Sequence, residues 1–573
     1  MRRSTTTGRR ASALLLALAA VGAGCGMGGS DSEAPSNGSR YGSGGASSAG
    51  NPNGPARSSG GSGVPNAGAG TGGLVGTTGA AGAGTGIAAS GGATNTGDKY
   101  VPVGTNPFIA TAYDPLSTFG ADVDTASYDI FRRDVNAGTL PVADSVRLED
   151  YVNDFSYDYP APAVGDPVPF QISLAAARNV FDRQTTLLRV GIQAVKPLPF
   201  QKRPANIVFL IDVSGSMQSP DKLPLVQRIA VNALSVLDPT DRVSIVTYAS
   251  GTGVRLAPTP VSQRDAIVKV LNGLVAGGST NGGGGLNLAY EQAAAGYIDG
   301  GINHVILCTD GDFNVGPSST AELLALVRSK RATGVTLTAL GFGSGNLNDQ
   351  MMESVSNAGN GMYALISSAD QADNYAQNRL LSTLVHVAKD MKIQVEFNPA
   401  KVAAYRLLGY EDRAIADMSF RNDAIDGGEV GAGHRVTALY ELLPVGLPLA
   451  LKPGQPAVLE GAASTTVPEV AASDMVLVKV RWKGLDATDA TPASEVSASL
   501  APEHCSDGIA VADADLRWAA GVAAFAEILK KSPFADPTYL PEIDAVVATQ
   551  AGRDGDRTEF AQLYGVARTL LPR

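Results

Sequence analysis

Asp212, Ser214, Ser216, Thr280 and Asp310 are the residues of this chain whose types and spacing point most directly to chemistry. Asp212-Val213-Ser214-Gly215-Ser216 follows an unbroken apolar run, 207–211. Thr280 stands in Gly277-Gly278-Ser279-Thr280-Asn281-Gly282, and Thr309-Asp310-Gly311 closes a second apolar run, 305–308. Carboxylates and hydroxyls offer only hard oxygen donors, which suit Mg²⁺, Mn²⁺ or Ca²⁺ and not zinc or copper. Mg²⁺ is the first expectation. It takes near-octahedral geometry and keeps some waters, so these side chains, some acting through water, leave one position open. With so few direct carboxylates the ion keeps net positive charge and should attract an acidic group from a partner.

The elements that must position these residues are readable nearby. A continuous apolar run such as 207–211 is what a strand buried on both faces requires. Further strands are expected at 243–248, 305–308, 335–342 and 362–365, with helices at 223–237, 265–274, 286–295, 321–331 and a long closing helix at 369–390. Alternation of strands and helices implies an α/β fold with a mostly parallel sheet. Ligands of open α/β sheets bind outside the carboxyl ends of the strands, where Asp212 and Asp310 fall. The glycines around Thr280 let that loop approach the same edge.

The pattern Asp-x-Ser-x-Ser after a strand, a Thr in a Gly-rich loop, then Thr-Asp-Gly after a later strand resembles the von Willebrand factor type A (VWA) domain. The resemblance implies a Rossmann-like domain, here 204–390, with a metal-ion-dependent adhesion site made by Asp212, Ser214, Ser216, Thr280 and Asp310. It extends further. Residues 119–162, with Asp122-Val123-Asp124-Thr125-Ala126-Ser127-Tyr128, resemble the short domain that precedes the type A domain in a family of bacterial surface proteins, placed here at 110–165. Leu408-Gly409-Tyr410-Glu411, Gly431-Ala432-Gly433-His434 and the stretch 518–571 resemble that family's C-terminal region of unknown function.

Strand-like alternation at 170–174 and 187–192 returns after Lys392, at 393–397, 405–408, 436–443 and 475–482. These strands are expected to form a β-sandwich from 166–200 and the first part of 391–573, with the α/β domain inserted between them. Residues 511–573 read as helical, with Trp518, Val522, Phe525 and Leu529 on one face.

The amino terminus reads as a targeting segment, 1–25. Arg2, Arg3, Arg9 and Arg10 precede an apolar stretch, 11–23, too short to span a bilayer. Val21-Gly22-Ala23-Gly24-Cys25 resembles a bacterial lipobox, with Gly22 where Leu usually stands. The resemblance implies a lipid anchor at Cys25 and, in a Gram-negative host, the outer membrane. Residues 26–98, nearly all Gly, Ala, Ser, Thr, Asn and Pro, bury too little apolar surface to offset their ordering entropy and read as a disordered linker.

The 573 residues carry a net charge of −11 with no basic cluster, which argues against a nucleic-acid partner. The cysteines, Cys25, Cys308 and Cys505, form no disulfide framework; Cys308 reads as a core residue and Cys505 as exposed. Asp122 and Asp124 have the spacing of a phosphotransferase pair, but no strongly apolar strand is expected before them. Ser219-Pro220-Asp221-Lys222 has the Ser-x-x-Lys spacing of some acyl transferases, but a surface turn and helix start account for it. His304 is expected before a strand, His386 on the closing helix, and His434 and His504 in loops. Asp349 and Glu353 share a helix face that reads as solvated. The functional expectation is therefore an exported, membrane-anchored protein that holds an acidic group of a protein partner at its metal site. The alternatives are a metal-dependent hydrolase, with Asp312 the nearest candidate base, or an envelope scaffold with a vestigial site.

Overall fold

The computed structural model describes residues 97–572 except 122–123, 183, 197–202, 281–282, 312–319, 424–426, 463, 465–467, 486 and 488–490. The targeting segment, Cys25 and residues 26–96 of the expected linker lie outside the described residues; its last residue, Asp98, is fixed, accepting from the N–H groups of Gly345 (2.8 Å) and Leu347 (2.9 Å). Among the described residues, no helix is long and apolar enough to cross a membrane.

The α/β segment is built on a six-stranded sheet in the order Tyr363–Ile366, Val335–Phe342, Ile302–Thr309, Ala205–Asp212, Arg242–Tyr248, Thr252–Pro260. The first five strands are parallel, and Thr252–Pro260 returns antiparallel along one edge. Every residue of Ala205–Asp212 is buried. Its alternate side chains feed two cores: Ile207, Phe209 and Ile211 meet helix Leu223–Ala233, while Val208 and Leu210 meet Leu286, Ala289 and Ala293. That two-sided burial is why the run is apolar throughout. From this central strand the chain first builds outward through 242–260, then crosses to build the other side from Ile302–Thr309. The sheet's switch point therefore lies between Ala205–Asp212 and Ile302–Thr309, the place at whose carboxyl ends open α/β sheets bind ligands.

The remaining strands form a seven-stranded and a five-stranded sheet packed face to face. Thr186–Ala194 pairs antiparallel with Arg435–Pro444 across the whole inserted segment. Leu188, Val190, Ile192, Val436 and Tyr440 from one sheet pack with Ile393, Val395, Phe397, Val478 and Val480 from the other. Both ends of the insertion are fixed by consecutive amides: Gly433 N–H donates to the Val195 carbonyl (2.8 Å) and Ala432 N–H to that of Val385 (2.7 Å).

A third core joins the two ends of the described chain. Helices Ala126–Asn136 and Leu148–Asn153 pack on Ala514–Lys530, Leu540–Gln550 and Gly555–Leu570. Tyr128, Phe131, Phe155, Trp518, Phe525 and Phe560 form its aromatic centre, with Trp518 edge-on to Phe155 at 5.1 Å. The face of Trp518, Val522, Phe525 and Leu529 is buried here.

Several expectations are corrected. The closing helix stops at Leu384; it runs as Ala369–Asn374, a π-helical turn Tyr375–Arg379 and Leu380–Leu384. His386–Phe397 is a strand, with Asp390 at φ 57° where the register shifts, so His386 is not helical. The bulge breaks the strict alternation that would otherwise mark a strand. His304 lies within Ile302–Thr309 rather than before it. The strand that precedes Asp122, Leu116–Gly120, is not strongly apolar, as expected; it is recruited by pairing with His386–Phe397. Asp349 and Glu353 are not solvated. Both pair with Arg147, at 2.5 and 3.2 Å, because the preceding helical unit covers that face. Cys308 is buried, whereas Cys505 is half-buried in a short strand paired with Ala176.

Candidate metal centre

Asp212 ends its strand, and the register pairing Ile211 with Cys308 brings Asp310 to the neighbouring strand's end. Both carboxylates are buried. The first loop folds back on its own aspartate: Ser214 N–H donates to Asp212 Oδ1 at 2.8 Å. Ser214 and Ser216 hydroxyl oxygens lie 3.0 Å apart. Thr309 Oγ1 donates to Asp212 Oδ2 at 3.4 Å, tying the two strand ends together.

The Gly-rich loop is stitched to the first loop by two backbone bonds. Gly215 N–H donates to the Gly278 carbonyl (2.9 Å), and Gly277 N–H to that of Val213 (2.8 Å). Gly278 sits at φ +88°, and a Cβ there would meet Ser250 Oγ at 2.6 Å. Glycine is therefore required for this approach. The half-buried Thr280 follows two residues on. The structure thus gathers Asp212, Ser214, Ser216 and Asp310 directly and brings the loop of Thr280 to them. Asp312 lies outside the described residues.

The two carboxylates differ electrostatically. Burial pushes Asp212 up to about 6, the charge of Asp310 adds to that, and hydrogen bonds from Ser214 and Tyr248 pull back. No cationic side chain among the described residues pairs with it. Burial would also raise Asp310, but hydrogen bonds from Ser216, Lys222 and Asn346, with the charge of Lys222, hold it below its ordinary range. Lys222 Nζ donates to Asp310 Oδ2 at 3.0 Å, and Asn346 Nδ2 donates to the same oxygen at 3.2 Å. Lys222 and Asn346 escaped the sequence reading. The only local signal for Lys222 was its Ser-x-x-Lys spacing, and that turn serves instead to bring the ammonium to Asp310.

This donor set fits a hard divalent cation: two buried carboxylates, one without a cationic partner, beside paired hydroxyls. No group of three or more His, Cys, Asp or Glu suited to a metal occurs among the described residues.

The other motif residues take structural roles. Asp124 Oδ1 accepts from Tyr363 N–H at 2.8 Å and its Oδ2 from Arg413 at 3.3 Å. His304 bonds Thr336 at 2.6 Å, and His434 Nδ1 accepts from Gly431 N–H at 3.2 Å.

The sheet order, the switch point and the loops gathered there define a von Willebrand factor type A domain, and residues 206–378 match the model of that name. Residues 94–189 match a model described as von Willebrand factor, and 382–570 one described as uncharacterized protein YfbK, C-terminal. Over 482 residues the chain is 37% identical to the uncharacterized protein YfbK of Escherichia coli (strain K12), covering 82% of this chain and 81% of that protein. The chain belongs to the YfbK family. It is also 26% identical over 272 residues to the uncharacterized protein sll0103 of Synechocystis sp., covering 47% of this chain and 63% of that one. Among solved structures, von Willebrand factor type A from Catenulispora acidiphila covers 73% of this chain and 88% of its own, at 16% identity and a TM-score of 0.37.

Proposed function

We propose that this chain is an exported, membrane-anchored binding protein whose VWA domain holds an acidic group of a protein partner at a divalent ion. VWA domains commonly hold such an ion and mediate protein–protein interactions. The reading rests on one observation: Asp212, buried and without a cationic partner among the described residues, lies at the sheet's switch point with Ser214, Ser216 and Asp310. Asp212, Ser214, Ser216, Thr280 and Asp310 would hold the ion, Mg²⁺ first, with Mn²⁺ or Ca²⁺ also suited to these oxygens. The bound ion would supply an open coordination position with residual positive charge, and the loops around it would select the partner. A lipid on Cys25 and the linker 26–98 would hold the domain away from the membrane.

Asp212→Ala and Asp310→Ala should each abolish Mg²⁺-dependent thermal stabilisation while leaving the circular dichroism spectrum intact. Stabilisation retained in both variants refutes the assignment. Affinity capture from envelope extract, with and without EDTA, then tests the protein partner. A hydrolase panel run in parallel decides against binding alone if EDTA-sensitive turnover appears and is lost in Asp310→Ala.

A further inference from the structure

Lys222 stands outside the five-residue pattern, yet its ammonium is in the site. Its side chain is 8% exposed and that of Asp310 fully buried, with Nζ 3.0 Å from Oδ2. Asn346 donates to that same oxygen. One oxygen of Asp310 thus carries both donors, and neither bonds the other oxygen. The lysine stem is confined. It passes beneath Gly343, where an added Cβ would come within 2.7 Å of both its Cγ and its Cε. Gly343 at φ +71° belongs to the same connection as Asn346. Backbone bonds fix Lys222 at the start of its helix: its N–H donates to the Ser219 carbonyl at 3.1 Å, and its carbonyl accepts from Leu225 at 2.9 Å.

We propose that Lys222 is a permanent counter-charge of this site, which remains on Asp310 Oδ2 when the ion is held and thereby couples ion binding to the arrival of an acidic group. The inference rests on the metal-site reading above. Its logic is charge balance. Asp212 and Asp310 alone would neutralise a divalent ion. With Lys222 in place they cannot, and one positive charge is left in excess. Excess charge in a poorly hydrated site is costly until an anion arrives to compensate it. Lys222 therefore weakens binding of the ion alone and strengthens binding of an acidic group to the loaded site. By reciprocity, the ion and the acidic ligand raise each other's affinity by the same factor. Lys222 is in this sense a positioning and specificity residue, selecting loaded states that carry an acidic ligand.

The test is calorimetric titration of the full chain with Mg²⁺, with acetate as the acidic probe and chloride of equal ionic strength as control. Wild type should bind Mg²⁺ several-fold more tightly in acetate. Lys222→Met should bind Mg²⁺ about tenfold more tightly without acetate, as expected for removing one nearby like charge, and should gain clearly less from acetate than wild type. Lys222→Gln keeps a donor for Asp310 and should follow Lys222→Met, which separates charge from packing and serves if the methionine variant misfolds. Lys222→Arg should restore the acetate response. Wild type that binds no Mg²⁺ overturns the metal-site reading and this inference together. Mg²⁺ binding by wild type with unchanged affinity or unchanged acetate response in Lys222→Gln overturns the role of Lys222 alone.

Discussion

At the scale of single residues, burial rather than sequence spacing sets the chemistry. Three imidazoles are held neutral: burial pushes His304 and His434 down to about 3 and His386 to about 4, and His386 also disfavours charge on the other two. In the unfolded chain each would titrate near about 6.5. Each then contributes stability that is complete above about 6.5 and is lost as the pH falls toward its folded value, because only the unfolded chain takes up the proton. Ring-proton shifts of these histidines in the folded protein should stay at neutral-imidazole positions at pH 5.5; protonated shifts there would contradict the burial argument. The grouping of Asp212, Ser214, Ser216 and Asp310 at one sheet edge was legible because Asp-x-Ser-x-Ser and Thr-Asp-Gly are local patterns attached to unmistakable apolar runs. Lys222 was not, since its meaning comes from Asp310 across the site. Asp349 and Glu353 were misread for the same reason. Helical spacing shows that they share a face, but not that Arg147 will lie against it.

At the scale of elements, the site depends on a loop that only glycine can make. Gly278→Ala puts a side chain at φ +88° and within 2.6 Å of Ser250 Oγ. The left-handed conformation alone costs about 1–2 kcal/mol, and relief requires the loop to leave Gly215. We expect Gly278→Ala to lower the melting temperature modestly yet remove most of the Mg²⁺ stabilisation. Loss of both in the same proportion would show that the loop serves stability alone. The buried parallel strands could be read from sequence because burial on two faces leaves no room for polar residues. Thr252–Pro260 could not. It is an antiparallel edge, largely open to solvent, with prolines at 258 and 260 that an edge tolerates. The strand His386–Phe397 was hidden by its bulge at Asp390, where two-residue alternation slips.

At the scale of the whole molecule, the amino-terminal helical unit and the α/β segment are locked by ion pairs that cross between distant segments. Asp154, on the amino-terminal helical unit, accepts from Arg132 at 3.3 Å and from Arg379, in the π-helical turn that follows the VWA sheet, at 2.5 Å. The Asp154 side chain is 1% exposed, and the two guanidinium groups hold its carboxyl below the ordinary range despite burial. Removing one partner of a buried charged set costs about 3–5 kcal/mol. Asp154→Asn should therefore lower the urea midpoint strongly while sparing Mg²⁺ affinity; a neutral substitution would show that the units are held by apolar packing alone. The insertion itself has a consequence for how such proteins can be remade. Val195 and Val385 are caught by neighbouring amides, so the whole α/β segment enters and leaves through one narrow neck in the sandwich. Its covalent entry and exit are adjacent, and its remaining hold on the molecule lies in side-chain contacts such as Arg147 with Asp349 and Arg379 with Asp154. A short peptide closing that neck should leave the sandwich strands in register, and an insert that kept those contacts could diversify while its mount stays constant.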